Sequence, residues 1–310
     1  MSSLRITFLG TSAAAPTAYR NLSGLFIKRE GQSFLFDCGE GTQRQMLRYG
    51  TGFGLDAVFF THFHADHYLG IIGFLRTLGM LGRATPLFLY GPRPAATFLP
   101  QVIRLGAEDI RLPVEIIEVE PGMVAFQGDG YRIEAFQTDH RIASVGYALI
   151  EDPRPGRFDV AAARARGIPD GPFFGKLQRG EEILLNDGRK IHPSEVLGPA
   201  RSSRRIVISG DTRPCDGTTK AAQGADILIH EATFGDLEQE RAIHTRHATA
   251  REAAIVARDA GAKRLILTHL STRYDREPEV LHAQAKQELP QERLCEIADD
   301  GLEIDVPLLD

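Results

Sequence analysis

FFTHFHADHYLGIIGFL, residues 59–75, carries His62, His64, Asp66 and His67 within six positions, held between two apolar runs. In an extended chain alternate side chains share a face, so His62 and His64 point the same way while Phe63 packs behind them. Asp66 and His67 fall in the turn before a helix expected near Leu69, where the chain can swing them to the other side of a metal centre. A lone histidine at such a place is usually a satisfied core residue. Four ligand-type side chains at one strand end read instead as most of a metal site.

Their partners are sought where other apolar runs stop. RIEAFQTDH ends in His140, RIVISGD in Asp211 and RLILTH in His269. Ligands at the carboxyl ends of several strands converge in space, at the edge where α/β proteins build their sites. Taken singly, Asp211 also reads as a turn residue and His140 as a loop histidine. A catalytic zinc takes about three protein ligands and a water. His62, His64, Asp66, His67, His140, Asp211 and His269 therefore suit two Zn2+ ions with one shared carboxylate. Two such ions activate water at neutral pH and stabilise both the attacking and the departing oxygen of a displacement at phosphorus. Ligation by nitrogen and oxygen without a thiolate suits zinc, with Mn2+ as a substitute.

The rest of the chain frames that centre. At 310 residues and 43% hydrophobic composition it can bury a full core. Short Val-, Ile- and Phe-rich runs such as LRITFLGTS, TPLFLYGP and ADILIHEAT predict strands, and LGIIGFLRTLGMLG, PAATFLPQVIRLG and TAREAAIVARDAG predict helices between them. That alternation implies an α/β fold with sheet layers covered by helices. No run of 18 apolar residues and no leader-like start are present, so neither membrane insertion nor secretion is expected. Cys38, Cys215 and Cys295 are scattered and form no CxxC pair, which fits reduced thiols in a cytoplasm. The net charge of −5 offers no overall attraction for nucleic acid, so a polyanion must be held by a local patch or by metal. One such patch is residues 154–180, which lack strand alternation, are rich in Gly and Pro, and carry six Lys/Arg against two Asp. They read as an insertion from the core, or as a plain solvated loop.

THFHADH resembles the HxHxDH motif of the metallo-β-lactamase superfamily, and within it the chain resembles the ribonuclease Z family, the tRNA 3′-processing endonucleases. FLGTSAAAPTAYRN, LFDCGEGTQRQ, SGDTRPC, IHEATF, HATAREAA and LTHLSTRYD carry the likeness nearly end to end. It implies one metallo-β-lactamase-type domain over residues 1–310, an αββα sandwich, with a protruding exosite arm at about 151–192 that grips tRNA. It implies that His62, His64 and His140 bind one zinc, that Asp66, His67 and His269 bind the other, and that Asp211 bridges them, two Zn2+ per subunit. Asp66 would also accept the proton of the attacking water. Glu231 and His247 would form the family's Glu-His pair, His247 near the departing oxygen. Ser271 and Arg273 would touch phosphate, and Arg157, Arg164 and Arg166 would serve the arm. The substrate would be precursor tRNA and the assembly a homodimer.

The early loop departs from the family's PTKxRN, since Ala18 stands where the lysine is expected. That bears on the handling of the CCA end and leaves the chemistry untouched. A glyoxalase II-like thioester hydrolase shares the same ligands but has no use for a basic insert. A diiron oxygen-reducing protein prefers a carboxylate where His64 stands. A metal-free RNA-binding scaffold would be expected to have lost ligands, and none is lost.

Overall fold

The apolar runs form two seven-stranded sheets in the computed structural model of the chain, which describes residues 3–105, 110 and 112–308. Met1 and Ser2, which open the stretch without a leader-like pattern, lie outside the described residues, as does Gly106 at the end of one helical run. The first sheet holds, in order, Glu303–Asp305, Leu4–Gly10, Gly24–Arg29, Gln32–Phe36, Ala57–Phe59, Leu87–Gly91 and Val114–Glu118. The second holds Leu294–Ile297, Arg264–Thr268, Ile227–Glu231, Arg205–Ile208, Val145–Glu151, Tyr131–Gln137 and Val124–Gly128.

Alternation along the strands decides the layering. Ile206, Ile208, Ile227, Ile229 and Ile266 of the second sheet meet Ile6, Phe8, Phe34, Phe36 and Phe59 of the first in one buried core. The intervening Val207, Leu228, Leu265 and Leu267 point the other way, onto helices Ala250–Asp259 and Glu279–Lys286. On the outside of the first sheet, Leu35, Val58 and Leu89 pack against Ile71, Phe74 and Leu75 of helix Gly70–Met80 and Leu99 of helix Ala95–Ile103. Four layers result, αββα, because strands apolar on both faces need cover on both. Each such side chain contributes roughly 1.5–3 kcal/mol on full burial. Helix Ala250–Asp259 opens with a reciprocal cap between Thr249 and Glu252, and Gly261, at φ +66°, follows its end.

Strand direction then places the site. Arg205–Ile208, Ile227–Glu231 and Arg264–Thr268 run parallel, so their carboxyl ends share one edge. Gln32–Phe36, Ala57–Phe59 and Leu87–Gly91 are likewise parallel in the first sheet.

Two local expectations differ. The strand ends at Phe59, so His62 and His64 stand in the loop beyond it, where Phe63 packs against Phe60 and Phe98. Asp66 and His67 belong to a one-turn helix, Ala65–Tyr68, ahead of the break at Leu69. Tertiary hydrogen bonds explain this early winding: the Cys38 amide donates to the His67 carbonyl at 2.7 Å and the Gly70 amide to the Cys38 carbonyl at 2.9 Å. No apolar period signals either bond.

Glu151–Ser203 is the core of a second compact unit, distinct from Met1–Ile150 with Arg204–Pro307. It contains helices Val160–Ala165, capped by Asp159, and Pro172–Gln178, and a hairpin of Ile183–Leu184 with Lys190–Ile191. Ala163, Ile168, Leu177, Ile183, Ile191 and Val196 give it its own apolar centre. The unit runs past residue 192 because the outgoing chain pairs back on the incoming one, Arg154 with Arg201 and Phe158 with Leu197. Arg164 pairs with Asp170 at 2.7 Å and Arg166 with Glu195 at 3.3 Å, while the Arg157 carbonyl accepts the Gly198 amide at 2.9 Å. Exposed pairs of this kind are worth about 0–1 kcal/mol each, so their arginines exchange partners readily.

Candidate metal centre

Seven donor side chains from four segments meet at the strand ends. His62 Nε2 lies 3.0 Å from His64 Nδ1, which lies 3.1 Å from His140 Nε2. Opposite them, His67 Nε2 is 3.3 Å from His269 Nε2, and Asp66 Oδ2 is 3.4 Å from that same nitrogen. Asp211 reaches both groups: Oδ2 lies 3.6 Å from His62 Nε2 and 3.4 Å from His67 Nε2, and Oδ1 lies 3.4 Å from His269 Nε2. All seven ligands named from the sequence are brought together.

The inward nitrogens cannot all satisfy one another, because most rings spend their other nitrogen on an outside partner. His62 Nδ1 is 3.0 Å from Thr61 Oγ1, His67 Nδ1 is 2.8 Å from Asp37 Oδ2, His140 Nδ1 is 2.9 Å from the Arg246 carbonyl, and His269 Nδ1 is 2.9 Å from Thr233 Oγ1. With the proton on that outer side, lone pairs face lone pairs within. Asp211 Oδ1 is buried with no hydrogen-bond partner. Converging imidazole nitrogens around an orphaned carboxylate oxygen fit a divalent cation.

Protonation supports that fit. Burial pushes the Asp211 carboxyl up, but His269, His67 and His62 outweigh it and hold the group well below its ordinary value. Burial and then His67 push His62 well down, and burial lowers His64 and His140, so these three are neutral and free to ligate. His67 goes the other way: against burial, Asp211 and Asp37 raise it, so a cation entering here displaces a proton.

Backbone strain concentrates at this edge. Ala14, Asp37, Arg246 and His269 have φ between +56° and +61°, the left-handed region that costs a side-chain-bearing residue about 1–3 kcal/mol. The Ala14 turn aims its amide at Asp66 Oδ2, 2.8 Å away.

Glu231 and His247 are also brought together. Glu231, 1% exposed, accepts the Thr212 amide at 2.8 Å and faces His247 Nδ1 at 2.9 Å with Oε1. Its Oε2 accepts the Ala248 amide at 3.0 Å and the Thr233 hydroxyl at 2.6 Å. Burial lowers His247, but Glu231, by charge and hydrogen bond, raises it to about 9. The His247 ring also stands within metal-ligating reach of Asp211 and His269. His247, Ser271 and Arg273 line an open cleft of about 560 Å³ that Asp66, His64 and Asp211 also border. Arg157, Arg164 and Arg166 belong to the other compact unit.

Three residues at the centre were not selected from the sequence: Asp37, Thr61 and Thr233. Asp37 Oδ2 takes both His67 Nδ1 and the Thr61 hydroxyl, each at 2.8 Å, so one carboxylate orients two rings. Its signal was present, since SFLFD stops in an aspartate as RIVISGD does. Asp37→Ala is expected to weaken metal affinity about 10- to 100-fold, read by chelator competition. Unchanged affinity in a folded variant would show that Asp37 only packs.

Two family models match parts of the chain: "Anti-Pycsar protein Apyc1" over residues 4–152 and "Beta-lactamase superfamily domain" over residues 182–270. A ribonuclease Z of Myxococcus xanthus is 60% identical over 310 residues, 100% of both chains. A ribonuclease Z of Haloferax volcanii is 48% identical over 99% of this chain and 96% of its own. Among solved structures, human tRNase Z, short form, is similar with a TM-score of 0.69 at 26% identity, covering 98% of this chain and 99% of that one.

Proposed function

The chain belongs to the ribonuclease Z family of the metallo-β-lactamase superfamily, and from that premise we propose how its own residues cut RNA. It is an endoribonuclease of tRNA 3′-end processing, and the full-length identity to a ribonuclease Z carries that reading; the thioester-hydrolase alternative is not favoured. The described helices include none long and apolar enough to cross a membrane. The free cysteines suit a cytoplasmic location.

His62, His64 and His140 would hold one Zn2+, Asp66, His67 and His269 a second, and Asp211 would bridge, with Mn2+ able to substitute. Such ions supply Lewis acidity toward the phosphate and lower the pKa of water. Asp66 accepts the proton of the attacking water as the water oxygen bonds to phosphorus. His247, whose Nδ1 proton is committed to Glu231, donates from Nε2 to the 3′ oxygen as its bond to phosphorus breaks. The tRNA leaves with a 3′-hydroxyl and the trailer with a 5′-phosphate. Ser271 and Arg273 steady the non-bridging oxygens. Metal analysis of the purified chain is expected to give about two zinc ions per subunit, and precursor tRNA should release its trailer and end in a 3′-hydroxyl. Absence of cleavage by the zinc-loaded protein would refute the substrate.

Arg164 and Arg166 would trade their weak local acids for tRNA phosphates and Arg157 would join them, which gives an acidic chain a local cationic grip. The Arg154–Arg201 bridge leaves the ends of the unit adjacent, so residues 153–202 can be replaced by a short Gly-Ser linker. That variant should bind precursor tRNA at least tenfold more weakly while its hydrolysis of bis(p-nitrophenyl) phosphate stays near wild type. Unchanged tRNA processing would reduce the unit to a plain insertion. For a homodimer, exposed apolar side chains are Leu47 of helix Thr42–Arg48 and Met80 of helix Gly70–Met80, 66% and 81% exposed.

A further inference from the structure

We infer that Arg241 is a phosphate contact for the RNA on the departing-oxygen side of the cut. The inference rests on the reading of His247 as the acid.

Two sets of segments line the cleft, joined where the Ser271 amide donates to the Thr233 carbonyl at 3.1 Å. Ser12–Ala13 pairs in parallel with Leu270–Ser271, so residues 13–15 and 271–273 stand together, and the Ala14 amide holds Asp66 there. This is the wall of the proton acceptor. The other is built from Phe234, which bridges to Thr249, and from helix Gln239–Thr245, whose Arg241 and Thr245 both line the cleft. That helix ends at Arg246, in the left-handed conformation, and the chain turns directly into His247. Attacking and departing oxygens stand roughly in line on opposite sides of phosphorus. The nucleotide that keeps the departing oxygen therefore lies along the His247 wall, beside Arg241.

The guanidinium there is unclaimed. Arg246 spends its charge on Asp139 and Arg251 on Asp236 and Glu288, whereas the Arg241 guanidinium makes no hydrogen bond or ion pair among the described residues, its backbone carbonyl alone accepting the Thr245 hydroxyl at 2.7 Å. Its guanidinium carbon lies 5.6 Å from the centroid of the Phe234 ring. Stacking restrains the side chain and leaves its N–H edge for a bidentate acceptor, which a phosphodiester supplies. No strand-end or motif rule selects this residue, because it sits mid-helix in an unremarkable DLEQERAIHT.

The test uses the zinc-loaded full chain. Arg241→Gln is expected to raise KM for precursor tRNA about tenfold with kcat little changed, and to reduce the salt slope of log(kcat/KM) by about one. Hydrolysis of bis(p-nitrophenyl) phosphate, which carries no RNA on either side, should not change, and Arg241→Lys should recover only part of the loss. A neutral methylphosphonate placed one linkage 5′ of the scissile phosphate should harm wild type and leave R241Q no worse. Additive losses, a matching silence for a trailer-side methylphosphonate, or an equal fall on the small substrate would each overturn the assignment. Failure of wild type itself on precursor tRNA would instead refute the function proposed above.

Discussion

Asp66→Ala is expected to lose more than about 10⁴-fold in kcat on both precursor tRNA and bis(p-nitrophenyl) phosphate, because two roles go with one side chain. Asp66 Oδ2 is held by the Ala14 amide at 2.8 Å and stands 3.4 Å from His269 Nε2 and 3.6 Å from His67 Nε2. On the proposed roles, removing the carboxylate takes away both the acceptor of the water proton and one donor of the second metal group. General base assistance alone is worth roughly 10²- to 10⁴-fold. Asp66→Asn separates the roles, since the amide oxygen can still ligate but cannot take a proton at neutral pH. It should retain more zinc than Asp66→Ala and remain nearly inactive. Turnover within tenfold of wild type on either substrate would end the base assignment.

His247→Ala should lower precursor tRNA turnover by roughly 10²- to 10⁴-fold with zinc content unchanged. Glu231, at 2.9 Å, keeps the imidazole charged, with its pKa raised to about 9. A general acid must carry its proton, so wild-type kcat should fall as pH rises through about 9, and that limb should vanish in the variant. The identity of the leaving group gives the sharper contrast. A 3′ alkoxide needs protonation as it departs and p-nitrophenolate needs little, so the small substrate should suffer far less. Equal losses on both, or depleted zinc, would make His247 a packing residue or a ligand, a role its reach to Asp211 and His269 would allow. Glu231→Gln should reproduce part of the defect and shift the alkaline limb, because the same carboxylate also orients His269 through Thr233.

What was legible in the amino-acid order alone follows from short-range physics. Alternating apolar residues can bury only as covered strands, so the layered α/β fold could be read from runs such as RIVISGD and RLILTH. Polar ligands where those runs stop must emerge at a sheet edge, which is why His62, His64, His140, Asp211 and His269 could be named without coordinates. The Glu231–His247 pair came from likeness to a family and from no local pattern. The tertiary structure alone decided how that edge is held. Ala14 and Arg246 there take left-handed backbone conformations, which nothing in their own identities favours; His67 hangs from Cys38; and Asp37 and Thr233 orient rings from other segments. Periodicity reports which face of an element is buried, whereas each of these contacts joins residues far apart in the chain and depends on the sum of many packed layers. Arg241 shows the same limit: a mid-helix arginine is a solvated charge in the sequence, and only the wall it shares with His247 makes it a candidate for binding RNA.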